Sequence, residues 1–184
     1  ISQIATLHFA PTDSSKQNLL DAGVESEKIF ITGNTVVDAL LSISNKFDCS
    51  SLKIDKFNEY KRNEIILTTI HRRENWGEPL ANICDGLKMI LEKHNNIIVV
   101  IPLHPNEEVR EIIKNKLSNL SRAKLIEPLP YDELVYLIKK SKLVLTDSGG
   151  LQEEAPALGK PVLVLRGNTE RIEALDAGTT KLVG

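Results

Sequence analysis

Beginning at Glu64, short apolar runs alternate with amphipathic stretches of helical period. Six of these runs have the length of strands and are apolar throughout, and five helical stretches separate them. Continuous apolar strands joined by amphipathic helices are typical of a parallel sheet that is covered on both faces. The pattern therefore predicts an α/β fold, a doubly wound Rossmann-like domain over residues 64–184. The predicted strands are 65–70, 97–101, 124–126, 143–145, 162–165 and 181–183, and the predicted helices are 80–93, 106–117, 131–140, 151–158 and 170–176.

The part of the chain before this domain is less regular. Its predicted elements are strands at 4–10 and 29–32 and helices at 14–22, at 35–44 and near 56–61. Gly23 is a typical stop for the first of these helices. We therefore divide the chain into residues 1–34, an interdomain connection with a helix over residues 35–63, and the domain at 64–184.

Composition excludes several classes of protein. The 184 residues carry a formal net charge of −2 and are 41% hydrophobic, which gives no sign of a general affinity for nucleic acid or anionic membranes. No apolar run approaches the length that spans a bilayer, and no signal-peptide pattern opens the chain. Cys84 lies in an apolar helical stripe, where a buried reduced thiol is the usual state, and the Cys and His residues lack metal-site spacing. We expect a cytoplasmic protein without a bound metal.

A turn of small residues, Ser148-Gly149-Gly150, lies between the predicted strand at 143–145 and the helix at 151–158. At such a position backbone N–H groups and the helix dipole favour a phosphate, and the missing side chains let it come close. Glu154 lies about one helical turn further on and points back toward the same mouth, at a distance suited to ribose hydroxyls. The alternative is a tight turn without a ligand.

The predicted topology brings further polar residues to this turn. In a doubly wound sheet of order 3-2-1-4-5-6, the first and fourth strands are neighbours at the topological switch point. His71 and Arg72 follow the first strand, and Ser148 follows the fourth. The loops after the third and fifth strands open at the same edge, because right-handed crossovers return the chain in the same way. We therefore expect these loops to line one crevice at the carboxyl edge of the sheet.

Two interpretations remain open for His71 and the arginines beside it. The segment is either a solvated basic loop or a cationic cluster that faces a pyrophosphate and stabilises a departing nucleotide. Glu153 and Glu154 are not expected to act as a pair on one substrate, because adjacent residues of a helix point about 100° apart.

Three blocks of this sequence resemble one family. They are Gly33-Asn34-Thr35-Val36-Val37-Asp38-Ala39-Leu40, then His71-Arg72-Arg73-Glu74-Asn75, and the long run from Asp147 to Arg166 followed by Thr169-Glu170-Arg171. The wording, order and spacing are similar to those of the non-hydrolysing UDP-N-acetylglucosamine 2-epimerases. The resemblance implies the C-terminal half of a GT-B-type two-domain fold, with residues 1–34 a remnant of the N-terminal domain. Relatives of this kind are about twice as long and continue into a helical tail, so we expect this chain to be a fragment.

The resemblance also implies an activity. The intact enzyme converts UDP-GlcNAc reversibly to UDP-ManNAc by eliminating UDP and adding it back, without a metal or redox cofactor. Its acid and base carboxylates belong to the N-terminal half, so this chain should bind UDP and be inactive alone. The implied partners are UDP, the two UDP-sugars, the N-terminal half and, when intact, a second copy in a homodimer.

Individual roles follow by position in the matched motifs. His71 is implied to contact the nucleotide and act in catalysis, and His104 to lie near a regulatory substrate site. The implied UDP-binding residues are His71, Arg72, Leu129, Leu134, Ser148, Gly149, Gly150, Glu154 and Arg171. Two other functions remain open at this point: a UDP-sugar glycosyltransferase of the same architecture, and a non-catalytic nucleotide-binding module.

Overall fold

The computed structural model describes residues 4–46 and 63–184. Contacts divide the chain into two compact units, Ile1–Ser42 and Ile43–Gly184. The division falls inside a helix, Thr35–Lys46, that sequence analysis assigned to the connection. The three-part division of the chain stays a prediction, and the helix expected near 56–61 lies outside the described residues.

The first unit is a small parallel pair of strands with a crossover helix. Strand β1 (His8–Ala10) pairs with β2 (Ile29–Ile31), and helix α1 (Asp13–Asp21) joins them. The side chain of Thr12 caps α1 by accepting a backbone hydrogen bond. The strand expected at 4–10 is shorter than predicted, because β2 offers only three residues for pairing. The helix α2 (Thr35–Lys46) follows.

The second unit has the predicted alternation of strands and helices. Its strands are β3 (Glu64–Thr69), β4 (Ile97–Pro102), β5 (Ala123–Ile126), β6 (Leu143–Thr146), β7 (Val162–Val164) and β8 (Thr180–Leu182). Its helices are α3 (Glu78–Lys93), α4 (Glu107–Leu117), α5 (Tyr131–Lys140), α6 (Leu151–Ala157) and α7 (Ile172–Asp176). Over residues 63–184 the strands form one sheet in the order β5-β4-β3-β6-β7-β8, and each pair is parallel. The predicted doubly wound order is confirmed.

The core of this unit lies on both faces of the sheet, because successive strand residues point to opposite sides. Ile66 and Val99 pack with α3 and α4 on one face, whereas Leu67 and Val100 pack with α5 and α6 on the other. Cys84 of α3 is fully buried, and burial and the neighbouring Asp85 carboxylate raise the pKa of its thiol to about 11. This is the reduced, inert thiol that the helical stripe predicts.

The topology decides where a site can form. In a parallel sheet the loops that leave the strands all open at the carboxyl edge, and the strand order reverses between β3 and β6. The loops after β3 and β6 are therefore neighbours, flanked by those after β4, β5 and β7. Within the described ranges, none of the helices is long and apolar enough to cross a membrane.

Candidate functional site

One buried carboxylate joins the loops at this edge. Asp147 follows β6 and is completely buried. Among the described residues, four nitrogen atoms lie at 2.8–3.1 Å from its oxygens: the backbone nitrogens of His71 and Arg72, the side-chain amide of Asn75, and Nδ1 of His71. Asn75 also donates to the carbonyl of Leu165 at 3.0 Å, so the loops after β3, β6 and β7 are held together.

The hydrogen bonds keep this carboxylate ionised. Burial alone would raise the pKa of Asp147, but the hydrogen bonds from His71, the Arg72 backbone and Asn75 outweigh it and hold the pKa below its ordinary value. The imidazole of His71 has a different environment, since its side chain is 41% exposed whereas that of Asp147 is fully covered. The backbone N–H and Nδ1 of His71 are therefore held by Asp147, and part of the imidazole ring is exposed to solvent.

Threonine hydroxyls connect this junction to the glycine turn. The Oγ1 atoms of Thr69 and Thr146, at the ends of β3 and β6, lie 2.6 Å apart. The N–H of Ser148 donates to Oγ1 of Thr146 at 2.9 Å. Gly150 is the N-cap of α6 and provides no side-chain cap. The strand-to-helix turn is thus anchored at its start and free of bulky side chains where the helix begins.

Gly149 faces a cluster of charged side chains. A Cβ atom added there would lie 3.0 Å from Oε1 of Glu170, 3.6 Å from a terminal nitrogen of Arg72 and 4.0 Å from one of Arg171. Arg171 forms ion pairs with Glu153 and, at 3.8 Å, with Glu170. The turn therefore lies beside two guanidinium groups and the carboxylate of Glu170.

The loop after β7 is tied to the turn by a buried glutamine. Gln152 of α6 is fully buried and donates to the carbonyl of Ser148 at 3.1 Å. Its Oε1 accepts a hydrogen bond from the Thr169 hydroxyl, and that hydroxyl accepts from the N–H of Arg171 at 3.1 Å. Gln152 thereby sets the position of the Arg171 backbone relative to the phosphate-binding turn that the sequence predicts.

Glu154 is buried at the mouth of the same turn but is poorly satisfied. It is 8% exposed, and its Oε1 would lie 3.3 Å from a Cβ added at Gly150. Tyr131, at the start of α5, lies close enough to the Glu154 carboxylate to affect its pKa. Among the described residues, Oε2 of Glu154 has no hydrogen-bond partner.

The electrostatics of Glu154 follow from this environment. Burial is the largest cause that raises the pKa of Glu154 above its ordinary value, Tyr131 opposes the rise, and the nearby Glu153 carboxylate adds to it. Glu153 itself lies toward Arg171. The two adjacent glutamates therefore address different partners.

His71 also lines a pocket of about 220 Å³. The pocket lining includes His71, His104 and Leu129, from the loops after β3, β4 and β5, and Leu134 of α5. The Nδ1 atom of His104 accepts the N–H of Asn106 at 3.1 Å. The structure therefore places these four predicted residues around one space.

The side chain of Trp76 lies next to that of His104. It packs against the core beside α3, and its ring lies 6.0 Å from that of His104. Within residues 4–46 and 63–184, no group of three or more His, Cys, Asp or Glu side chains is placed to hold a metal ion.

Sequence reasoning missed several residues that build the site. Asp147 was recognised only as part of the resemblance, and Asn75, Gln152, Tyr131 and Glu170 were given no structural role. A polar residue directly after an apolar strand at the switch point is a signal that could have pointed to Asp147. The contacts of Gln152 and Tyr131 depend on loop geometry and have no comparable signal.

The chain is similar to known proteins over its whole length. The model of the family described as UDP-N-acetylglucosamine 2-epimerase matches residues 1–184. The Campylobacter jejuni UDP-N-acetylglucosamine 2-epimerase is 48% identical over 192 residues, which cover 100% of this chain and 50% of that protein. The chain thus spans about half the length of the curated relatives it matches.

Solved structures show the same similarity. The Neisseria meningitidis UDP-GlcNAc 2-epimerase bound to UDP-GlcNAc is 47% identical with a TM-score of 0.92, covering 100% of this chain and 50% of that one. The S. aureus MnaA structure with UDP gives 42% identity and a TM-score of 0.92, covering 100% and 48%. These neighbours have the GT-B-type architecture, in which this sheet corresponds to the C-terminal Rossmann-like domain. This chain belongs to the UDP-N-acetylglucosamine 2-epimerase family.

Proposed function

We propose that this chain supplies the UDP-binding part of a UDP-GlcNAc 2-epimerase, an isomerase that interconverts UDP-GlcNAc and UDP-ManNAc. Relatives with this activity in their names match the whole chain, and neighbouring structures contain UDP-GlcNAc or UDP. Because those proteins are about twice as long, the activity belongs to a larger protein than the residues described above.

The observation that carries the proposal is the unsatisfied carboxylate oxygen of Glu154. A buried acceptor without a donor is destabilising, and two adjacent ribose hydroxyls would supply donors to it. The same oxygen belongs to a side chain that reaches back to Gly150, at the mouth of the small-residue turn. A ribose at Glu154 next to a phosphate at the turn corresponds to a nucleotide.

The arginines near Gly149 fit the diphosphate of that nucleotide. Arg72 and Arg171 approach the turn from the loops after β3 and β7, and guanidinium groups bind phosphate oxygens in pairs. A diphosphate at Gly149 takes the position of the Glu170 carboxylate, which is 47% exposed and can turn toward solvent. Ser148, Gly149 and Gly150 would then donate backbone N–H groups to the phosphates.

The pocket beside His71 suits the uracil base of UDP and the step in which UDP leaves the sugar. We assign Leu129 and Leu134 to the uracil and His71 to the diphosphate, where an imidazole stabilises the charge that develops as UDP departs. The carboxylates that move the C2 proton belong, by family resemblance, to the N-terminal half. A regulatory role of His104 and a homodimer stay predictions of the same resemblance.

The first unit supports a partnership with further N-terminal structure. Phe9 and Phe30 are 65% and 47% exposed, and their rings are tilted against each other with centroids 6.0 Å apart. In the described chain, β1 and β2 pair only with each other. A two-stranded sheet is marginal by itself, so the exposed aromatic side chains fit a surface that a larger N-terminal domain covers.

Calorimetric titration with UDP tests the binding site. The wild-type chain should bind UDP, and Gly149→Val should abolish binding because a branched side chain would lie between the phosphate and both arginines. Gly86→Val is the matched control, since a Cβ at Gly86 in α3 meets nothing within 4 Å. Equal UDP affinity of the wild type and Gly149→Val would rule out the phosphate-binding turn.

An isotope-exchange assay tests the activity. In deuterated water, the 184-residue chain should convert no UDP-GlcNAc, because C2 proton removal needs a base within hydrogen-bond reach of the carbon acid. Joined to the N-terminal half of a relative, it should form UDP-ManNAc with deuterium at C2, and His71→Ala should lower turnover more than binding. NMR follows both products. A joined protein that binds UDP but exchanges no deuterium would favour a glycosyltransferase or a binding module.

A further inference from the structure

The chemistry of a histidine depends on which ring nitrogen carries the proton. A neutral imidazole has one donor nitrogen and one acceptor nitrogen, and the partner of Nδ1 selects between the two tautomers. Nδ1 of His71 lies 2.9 Å from Oδ1 of Asp147. Nε2 is on the opposite side of the ring, and the His71 side chain is 41% exposed and lines the pocket described above.

The carboxylate of Asp147 is itself held in one orientation. Its Oδ2 accepts the N–H of Arg72 at 2.8 Å and the amide of Asn75 at 2.9 Å, with the His71 N–H shared between the two oxygens at 3.0 and 3.1 Å. Oδ1 is the oxygen that faces the imidazole. Because an ionised carboxylate only accepts hydrogen bonds, the nitrogen next to it must be the donor.

We propose that Asp147 is a positioning residue that holds His71 in the Nδ1–H tautomer and directs Nε2 into the nucleotide cleft. The role of this tautomer in catalysis rests on the proposed function. With Nδ1 bonded to Asp147, Nε2 can take up and release a proton beside a diphosphate. Ser148 directly follows Asp147, so the residue that orients the imidazole also connects it to the turn at Ser148, Gly149 and Gly150. The depressed pKa of Asp147 agrees with a permanent acceptor at this position.

The geometry predicts what an amide would do in place of the carboxylate. In Asp147→Asn, the amide oxygen is drawn to the Oδ2 position, where the Arg72 backbone and Asn75 donate. The NH₂ group must then take the Oδ1 position and donate to Nδ1 of His71. The histidine is left with its proton on Nε2, which reverses donor and acceptor in the cleft. The corresponding change in a Ser-His-Asp triad acts through the wrong tautomer in the same way.

The test is ¹⁵N NMR of the histidine side chains in the 184-residue chain without ligand. Spectra are recorded at about pH 9, where an ordinary imidazole is neutral. His71→Gln identifies the His71 signals among the chain's four histidines. The wild type should show His71 mostly as the Nδ1–H tautomer, and Asp147→Asn should show mostly Nε2–H.

Asn75→Ala is the matched control, because it removes another donor of Asp147 and leaves the Oδ1 contact with the imidazole. It should keep the wild-type tautomer. A wild-type His71 that is mostly Nε2–H would overturn the inference even if the Asp147→Asn variant did not fold, and so would an unchanged tautomer in a folded Asp147→Asn. Both NMR measurements are made without UDP, so failure of UDP to bind would count against the proposed function alone.

Discussion

Two carboxylates of the same site, Asp147 and Glu154, are buried to nearly the same degree but lie in opposite environments. Asp147 is 0% exposed and Glu154 is 8% exposed. The first accepts hydrogen bonds from three residues, whereas the second has, among the described residues, no partner at Oε2. Accordingly, the pKa of Asp147 is lowered by its hydrogen bonds against the effect of burial, and the pKa of Glu154 is raised by burial.

Under the proposed function, the difference separates a carboxylate that holds the loops together from one that receives a ligand. A carboxylate whose lone pairs are all engaged stabilises the fold and has little left to offer a substrate. A buried carboxylate with an open lone pair is destabilising until a donor arrives, which is how binding sites obtain affinity and specificity. Burial alone would not have distinguished the two, whereas their hydrogen-bond partners do.

The largest expected effect is on stability, where the two residues should behave oppositely. Asp147→Asn should lower the free energy of unfolding at pH 7 by about 2–3 kcal/mol, because its NH₂ group cannot accept the hydrogen bonds that the carboxylate does. Glu154→Gln should change it by about 0.5 kcal/mol or less, or raise it, because it removes a buried charge that is poorly paired. Urea unfolding followed by the fluorescence of Trp76, the chain's one tryptophan, measures both in the second unit.

The pH dependence gives this experiment its internal control. Stability from a lowered pKa is complete above the unfolded value, about 3.9 for Asp, and is lost as the pH falls through the folded value. The Asp147→Asn deficit should therefore persist from pH 7 to about 4.5 and shrink below that. For the raised pKa of Glu154, the wild type gains stability relative to Glu154→Gln as the pH falls toward about 4.3. Equal losses in both variants at pH 7 would erase the distinction between the two carboxylates.

A smaller effect is expected on ligand affinity. Glu154→Gln should weaken UDP by about 1–2 kcal/mol, roughly tenfold, because an amide cannot match the charge-assisted bonds of a carboxylate to ribose hydroxyls. Inorganic pyrophosphate, which has no ribose, should bind nearly as before. Calorimetric titration with the two ligands measures the difference.

Glu153→Gln is the matched control for this measurement. Glu153 neighbours Glu154 in sequence but pairs with Arg171, beside Gly149. Any change it causes should therefore be shared equally by UDP and pyrophosphate. If Glu154→Gln also weakened both ligands by the same factor, Glu154 would act on the phosphates or on the fold.

The topology and the strand order of the sheet could be predicted because they depend on the periodicity of apolar residues, which a single sequence shows. The runs around Ile66, Val99 and Val144 are apolar on both faces, and only a doubly covered parallel sheet buries both. The position of Glu154 one turn into α6 follows from the same regularity. The length of β1 did not follow, since it is limited by its partner strand.

The polar contacts could not be predicted in this way. Asp147 and His71 are 76 positions apart, and nothing local in either segment identifies the other. Gln152 meets Thr169 through a loop whose path is set by tertiary packing. The placement of the Glu170 carboxylate beside Gly149 and Arg171 depends on exposed side-chain rotamers, which sequence patterns do not encode.

The hydrogen bonds between Asp147 and the loop after β3 also have a consequence for how the site comes into being during folding. They close a segment of 76 residues, and they can form only once the two central strands of the sheet have paired. Long-range parallel pairing is among the slowest events in folding, because the entropy of loop closure is lost before the contacts form. The nascent chain therefore carries no partial version of this site: β3 and its histidine are synthesised long before the carboxylate that orients it. Competence to bind should appear in a single step with the central β3–β6 pairing.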